Sequence, residues 1–143
     1  MIHLEGVEQF SAPPDVVQAK LSDAGFLANN LPDAHVTEAT ADRAAWKVRP
    51  KLAFIAGELD TVLTALVRTP DGVKYRVEAK GVGSASVVEA ALVFSPADGG
   101  TAVGWVGDVV SMTGLLKLAP KGLVQSAAAK VIADCWAALK TKV

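Results

Sequence analysis

The side chains best able to do chemistry in this 143-residue chain are few and far apart. Neither His3 nor His35 has a carboxylate or a second histidine at ligand spacing, so each reads as a surface or edge residue. The single cysteine, Cys135, excludes an internal disulfide and lies in an apolar stretch. There a free thiol behaves as a small hydrophobe, and the apolar setting raises its pKa and blunts its reactivity. Glu58 and Asp60 alternate on one strand face, a spacing at which two carboxylates could share acid–base work. Their surroundings read instead as a solvated outer face, as do those of Asp108. There is no Ser/His/Asp arrangement, no metal-ligand spacing and no phosphate loop. Gly81-Val82-Gly83 runs on into Ser84-Ala85-Ser86, so the third glycine of a dinucleotide fingerprint is missing. No catalytic residue, metal or cofactor is expected on these grounds. What remains are polar handles on otherwise apolar strands. The Tyr75 hydroxyl and the Trp105 indole N–H each need a partner if buried, and Thr61 could place a further hydroxyl inside.

The elements that must position these groups begin with the stretch from Leu115 to Lys140, read as one long helix. At about 100° per residue, Val124, Ala127, Ala128, Val131, Ile132, Cys135, Ala138 and Leu139 share one face. Such an apolar stripe is buried against a core. At 1.5 Å per residue it would run about 39 Å, and Pro120 marks where the regular helix would begin. Its alanines either allow close approach to a partner or leave room for something else.

Ahead of it, period-two alternation predicts strands. Ile2 to Phe10 opens the chain. Ser11-Ala12-Pro13-Pro14-Asp15 starts a short helix carrying Val16, Val17, Ala19, Lys20 and Leu21, with Gly25 as its C-cap. Phe26, Leu27 and Leu31 belong to a second short helix ended by Pro32. Strands follow over 34–39 and 44–49, around the turn Thr40-Ala41-Asp42-Arg43 and closed by Arg49-Pro50. A long strand runs over 57–69, then Pro70-Asp71-Gly72 makes a turn with a proline-preset dihedral and a permissive glycine. Val73, Tyr75, Val77 and Ala79 face one way, and Lys74, Arg76, Glu78 and Lys80 the other, which marks a sheet with one wet face. After a turn over 81–84, Val88, Ala90, Leu92 and Phe94 face in. Thr101 to Val110 forms the last strand, with Val103, Trp105, Gly107 and Val109 inward. Strands joined by turns are antiparallel. The inward phase of the strand from Gly57 stays open, because both of its faces carry apolar residues and a one-residue slip inverts it.

Composition narrows the function classes. With 51% hydrophobic and 20% charged residues, the chain can bury a core as a single domain over 1–143. Fourteen basic against 15 acidic residues leave no electrostatic footprint for nucleic acid. Met1 to Phe10 carries Glu5 and Glu8 and no long apolar run, so no leader is read there. No stretch approaches the ~20 apolar residues that span a bilayer. The expectation is a cytoplasmic protein with at most peripheral membrane contact.

The order β-α-α-β-β-β-β-β-β-α resembles the helix-grip fold of the START-like and Bet v 1-like superfamily. This is an α+β architecture in which a curved antiparallel sheet of about seven strands wraps a long C-terminal helix, with two short helices after the first strand. Within it the chain is most similar to the CoxG family associated with carbon monoxide dehydrogenase. The likeness is carried by Phe10-Ser11-Ala12-Pro13-Pro14-Asp15-Val16-Val17, Leu21-Ser22-Asp23, Leu31-Pro32-Asp33 (where that family has proline-glycine), Gly57, Tyr75-Arg76-Val77-Glu78-Ala79-Lys80-Gly81 and Gly99-Gly100-Thr101. The resemblance implies a deep apolar cavity between sheet and helix for a lipid- or quinone-like ligand. It also implies an accessory or maturation role beside a molybdenum-containing dehydrogenase. The residues expected to face that cavity are Leu59, Leu63, Tyr75, Val77, Val88, Leu92, Trp105, Val109, Val124, Ala127, Ala128 and Val131. Two other readings stand beside the carrier. One is a cyclase- or hydrolase-like enzyme whose apolar or aromatic substrate is oriented by Tyr75 or Trp105. The other is an interaction module with a filled core.

Overall fold

The computed structural model describes residues 2–49, 57–81 and 83–143. Expectations attached to Pro50 and Val82 lie outside the described residues. Among the described residues there are seven strands: β1 (Ile2–Phe10), β2 (His35–Ala39), β3 (Arg43–Val48), β4 (Leu59–Thr69), β5 (Gly72–Gly81), β6 (Ser84–Ala97) and β7 (Gly100–Gly114). They form one antiparallel sheet in the order β1-β7-β6-β5-β4-β3-β2. Consecutive strands pair as hairpins, except that β1 closes against β7, with Ile2 opposite Val109 and Phe10 opposite Thr101. Helices α1 (Pro14–Leu21) and α2 (Ala24–Asn29) follow β1, and α3 (Leu115–Leu118) and α4 (Lys121–Lys140) follow β7. This is the helix-grip α+β architecture expected from the element order.

The predicted single helix over 115–140 is divided. Ala119 is extended (φ −71°, ψ 147°), as a residue before proline prefers. Pro120 lacks the N–H that would continue α3, and its carbonyl instead accepts from Leu123 N (3.0 Å) and Val124 N (3.1 Å) to start α4. A second correction concerns Gly25. It does not cap α1, whose C-cap is Ser22. The Asp23 side chain caps α2 at once by accepting from Phe26 N at 3.1 Å, so Gly25 falls in the first turn of α2. The free amides of that turn are satisfied by the β2–β3 turn, Ala24 N donating to Ala41 O at 3.0 Å and Gly25 N to Thr40 O at 2.8 Å. Leu31 lies beyond α2, which ends at Asn29. The last strand runs to Gly114 rather than Val110.

Side chains of Arg68, Gln18 and Tyr75 also fasten the helical pair to the sheet. Arg68 Nη2 donates to Ser22 O (3.0 Å) and Ala41 O (2.6 Å) while its other amino group pairs with Asp42. Gln18 Nε2 donates to Pro70 O at 3.0 Å. The Tyr75 hydroxyl, buried under α1, donates to Leu21 O at 2.7 Å. It thus satisfies one of the carbonyls that the end of α1 leaves without an intrahelical partner. Burial pushes the Tyr75 phenol well above its ordinary value, so the hydroxyl stays a donor. Tyr75→Phe is expected to lower stability by about 1–3 kcal/mol, the cost of a buried acceptor left unmade, read from the urea midpoint. An unchanged midpoint would mean that water replaces the bond.

Inward residues make two apolar clusters. The larger gathers Phe10, Val17, Leu21, Trp46, Leu63, Val73, Tyr75, Leu92, Phe94, Val103, Trp136 and Leu139 around α1, α2 and the C-terminal half of α4. The smaller holds Ile2, Val109 and Val124, with Leu4, Val88, Met112 and Ala119 against it.

Candidate ligand-binding site

A middle zone of the concave face lies between the two clusters, with Val77 and Trp105 packed at the edge of the larger and Val88 at the edge of the smaller. Leu59, Val77, Val88 and Trp105, all on the inward phase of their strands, are only half-buried there. From the helix side come Ala127 and Ala128, also half-buried. The odd-numbered residues of β4 do face inward, with Thr61 and Leu63 buried, until a register shift between Ala65 and Val67 turns Leu66 and Val67 outward. Leu63, Tyr75 and Leu92 belong to the larger cluster, and Val109 and Val124 to the smaller. Val131 is not brought to the interior: it is 41% exposed on the outer side of α4. Its place on the stripe rested on helical phase alone, and α4 presents the neighbouring Ile132 to the core instead.

An aromatic group borders this zone. Trp136, buried on α4, meets the Phe10 ring edge-on at 6.0 Å and the Trp105 ring at 6.4 Å and 35°. Such offset and edge contacts are favourable beyond their area. Trp105 lies across Gly6, its neighbour in the β1–β7 register. A Cβ on Gly6 would stand 2.9 Å from three indole atoms including Nε1, so the absence of a side chain there lets the ring lie flat. The indole Nε1 is buried and has no hydrogen-bond partner among the described residues. Such a donor carries a desolvation penalty unless something fills its need.

Beside the aromatics, Lys140 Nζ meets Glu8 Oε1 at 2.9 Å. The helical phase of Lys140 places it on the polar side of α4, but its long stem reaches over the helix end to the inward edge of β1. Sequence reasoning points to neither Trp136 nor this ion pair. Trp136 stands four residues after Ile132 and three before Leu139, a spacing that would have placed it on the same face. The pairing of Lys140 with Glu8 has no local signal.

Other candidate groups lie elsewhere. His3 does have carboxylate partners, which corrects the expectation that it had none. The β1–β7 register sets it opposite Asp108, the ring bonds that carboxylate, and Glu5 stands 3.4 Å away. The bonds to Asp108 and then Glu5 raise its pKa, but all three sit on the outer face, away from the interior. Among the described residues no group of His, Cys, Asp and Glu is arranged to hold a metal ion. Burial, with a smaller push from Asp134, raises the Cys135 thiol to about 11, so it carries almost no thiolate near neutrality. Among the described residues no helix is long and apolar enough to cross a membrane.

Fold and interior together define a helix-grip protein of the START-like class. The whole chain, residues 1–143, matches the family described as polyketide cyclase / dehydrase and lipid transport, and it belongs to that family. No curated protein matches it. Solved structures share the fold. A conserved protein from Geobacillus kaustophilus superposes with a TM-score of 0.85 at 14% identity, covering 99% of this chain and 94% of that one. A START superfamily protein from Mycobacterium smegmatis gives 0.73 at 11% identity, covering 99% and 96%. A protein from Chromobacterium violaceum gives 0.66 at 17% identity, covering 96% of both chains.

Proposed function

We propose that this protein is a non-enzymatic carrier that holds an apolar small molecule, lipid- or quinone-like, between the middle of its sheet and α4. The observation that carries the reading is Gly107. Its register partners Leu4 and Ala90 put it on the concave face, and a Cβ built there meets nothing within 4 Å. Protein interiors are close-packed, so open space over the centre of a sheet facing two helix alanines calls for an occupant. The backbone of α4 lies close to the sheet mainly along β1, so close helix–sheet contact over β4 to β6 does not account for Ala127 and Ala128. Family membership supports the same class of ligand. The unpartnered Trp105 N–H favours a ligand with an oxygen acceptor over a pure hydrocarbon.

The resemblance to the CoxG family extends the proposal to an accessory role beside a molybdenum-containing dehydrogenase. One preparation tests both: detergent-free purification from the native host, then native mass spectrometry and solvent extraction. A reproducible lipid or quinone adduct is expected, with a dehydrogenase co-purifying. Bare protein would count against the carrier, and absence of any oxidoreductase against the accessory role. Two variants locate the site. Gly107→Leu is expected to abolish the adduct while leaving stability within about 1 kcal/mol, because the added side chain enters open space. Trp105→Phe keeps a ring but removes the donor. It should weaken binding of an oxygen-bearing ligand about fivefold to tenfold, the worth of one hydrogen bond, by fluorescence titration. Adduct retention in Gly107→Leu would move the ligand elsewhere.

A further inference from the structure

The short turn between β7 and α4 is built unlike the rest of the surface. Leu118 on α3 is 81% exposed, more than any other large hydrophobic among the described residues, and Leu123 at the start of α4 is 46% exposed. Lys117 and Lys121, both exposed, bracket Leu118. From Val109 to Ala133 the sequence carries Lys117, Lys121 and Lys130 and no aspartate or glutamate. The chain as a whole has a net charge of −1, so this basic character is local. Pro120 and the extended Ala119 break the helix here, which holds Leu118 out on a turn instead of laying it along α4. The turn stands at the end of the sheet where β5 reverses into β6, with Gly114 packed against Gly83 O.

From this we infer that the α3–α4 turn is a docking tip for an anionic bilayer surface. Leu118 enters the interface and Lys117 and Lys121 lie at the level of the lipid phosphates. Among the described residues this tip presents two exposed leucines and two lysines, a small patch beside the ~1,000 Å² of a standard protein interface. A bilayer asks for less: a few apolar side chains past the headgroups and cations beside negative lipids. The docking does not depend on the interior being loaded.

The test is flotation of the whole protein with phosphatidylcholine vesicles containing phosphatidylserine, and with phosphatidylcholine alone. Binding is expected to the anionic vesicles and to fall with added salt. Leu118→Ser should weaken it about tenfold. The pair Lys117→Glu and Lys121→Glu should weaken it by at least about fivefold per lysine. Val7→Ser, at an exposed valine on the outer face of β1, should leave it unchanged. Circular dichroism confirms that each variant is folded, and the lysine pair tests the tip independently of the leucine. Equal binding by wild type and Leu118→Ser, or no binding to anionic vesicles, overturns the inference. So does a wild-type dimer in sedimentation that Leu118→Ser makes monomeric, since the occupant would then be a second copy.

Discussion

Replacing Trp136 by alanine is expected to lower stability by about 3–5 kcal/mol, the usual cost of emptying a large aromatic site. That is a large part of the ~5–15 kcal/mol that keeps a domain folded. The indole is 8% exposed and touches both Phe10 and Trp105, so its loss unseats the C-terminal half of α4 from β1 and β7 together. Leu139, the half-buried Ile132 and Val143 and the Glu8–Lys140 pair would remain at that end, but none replaces the aromatic contact, and the pair is partly solvated and worth ~1 kcal/mol or less. Urea denaturation with near-ultraviolet circular dichroism reads both stability and tryptophan packing. A loss below about 1 kcal/mol would show that α4 is anchored by something other than this aromatic group.

The second large effect is at Gly100, on the β6–β7 hairpin. A Cβ there would stand 1.9 Å from Phe10 O and 2.9 Å from Ser11 Cα. Both are backbone, where no rotamer change brings relief, so the end of β1 must move away from β7. Gly100→Ala is expected to cost about 3 kcal/mol or more, at the upper end of overpacking effects. Gly107→Ala is the control on the same strand: with nothing within 4 Å of the new methyl, its stability should stay within about 1 kcal/mol of wild type or rise slightly through the unfolded chain. Equal losses at the two glycines would point to general strand effects instead of the close approach at Phe10.

The contrast between these glycines shows what the sequence could and could not convey. The alternation of Val73, Tyr75, Val77 and Ala79 against Lys74, Arg76, Glu78 and Lys80 is a local pattern, and β5 follows it because its outer face is wet. Pro120 also acts locally, and where the long helix divides follows from its missing N–H and its effect on Ala119. Register is not local. His3 finds Asp108, Trp105 covers Gly6 and Glu8 reaches Lys140 only once β1 is laid beside β7, a pairing of segments about a hundred residues apart. Spacing along the chain carries no mark of it. A glycine after a short helix suggests a cap, but Gly25 does not serve as one because Asp23 has already begun the next helix. Composition could supply the inward face of each strand, but not which part of that face remains uncovered. That depends on where α4 comes to rest.

The place of β1 in the sheet bears on how the chain is made. It is synthesised before the other six strands of this sheet, yet its neighbour, β7, begins only at Gly100. Hairpins from β2 through β7 can close in turn as they emerge, each against a strand just completed. β1 has to wait, with Ile2 and Phe10 unshielded, until β7 presents its free edge, and Trp136 and Lys140 follow later still. In that interval the edge of β7 is open to any extended segment, and the wall formed by Gly6 and Trp105 does not yet exist. Closure of the interior is therefore a late, long-range event, one in which a nascent-chain chaperone has a defined strand to protect.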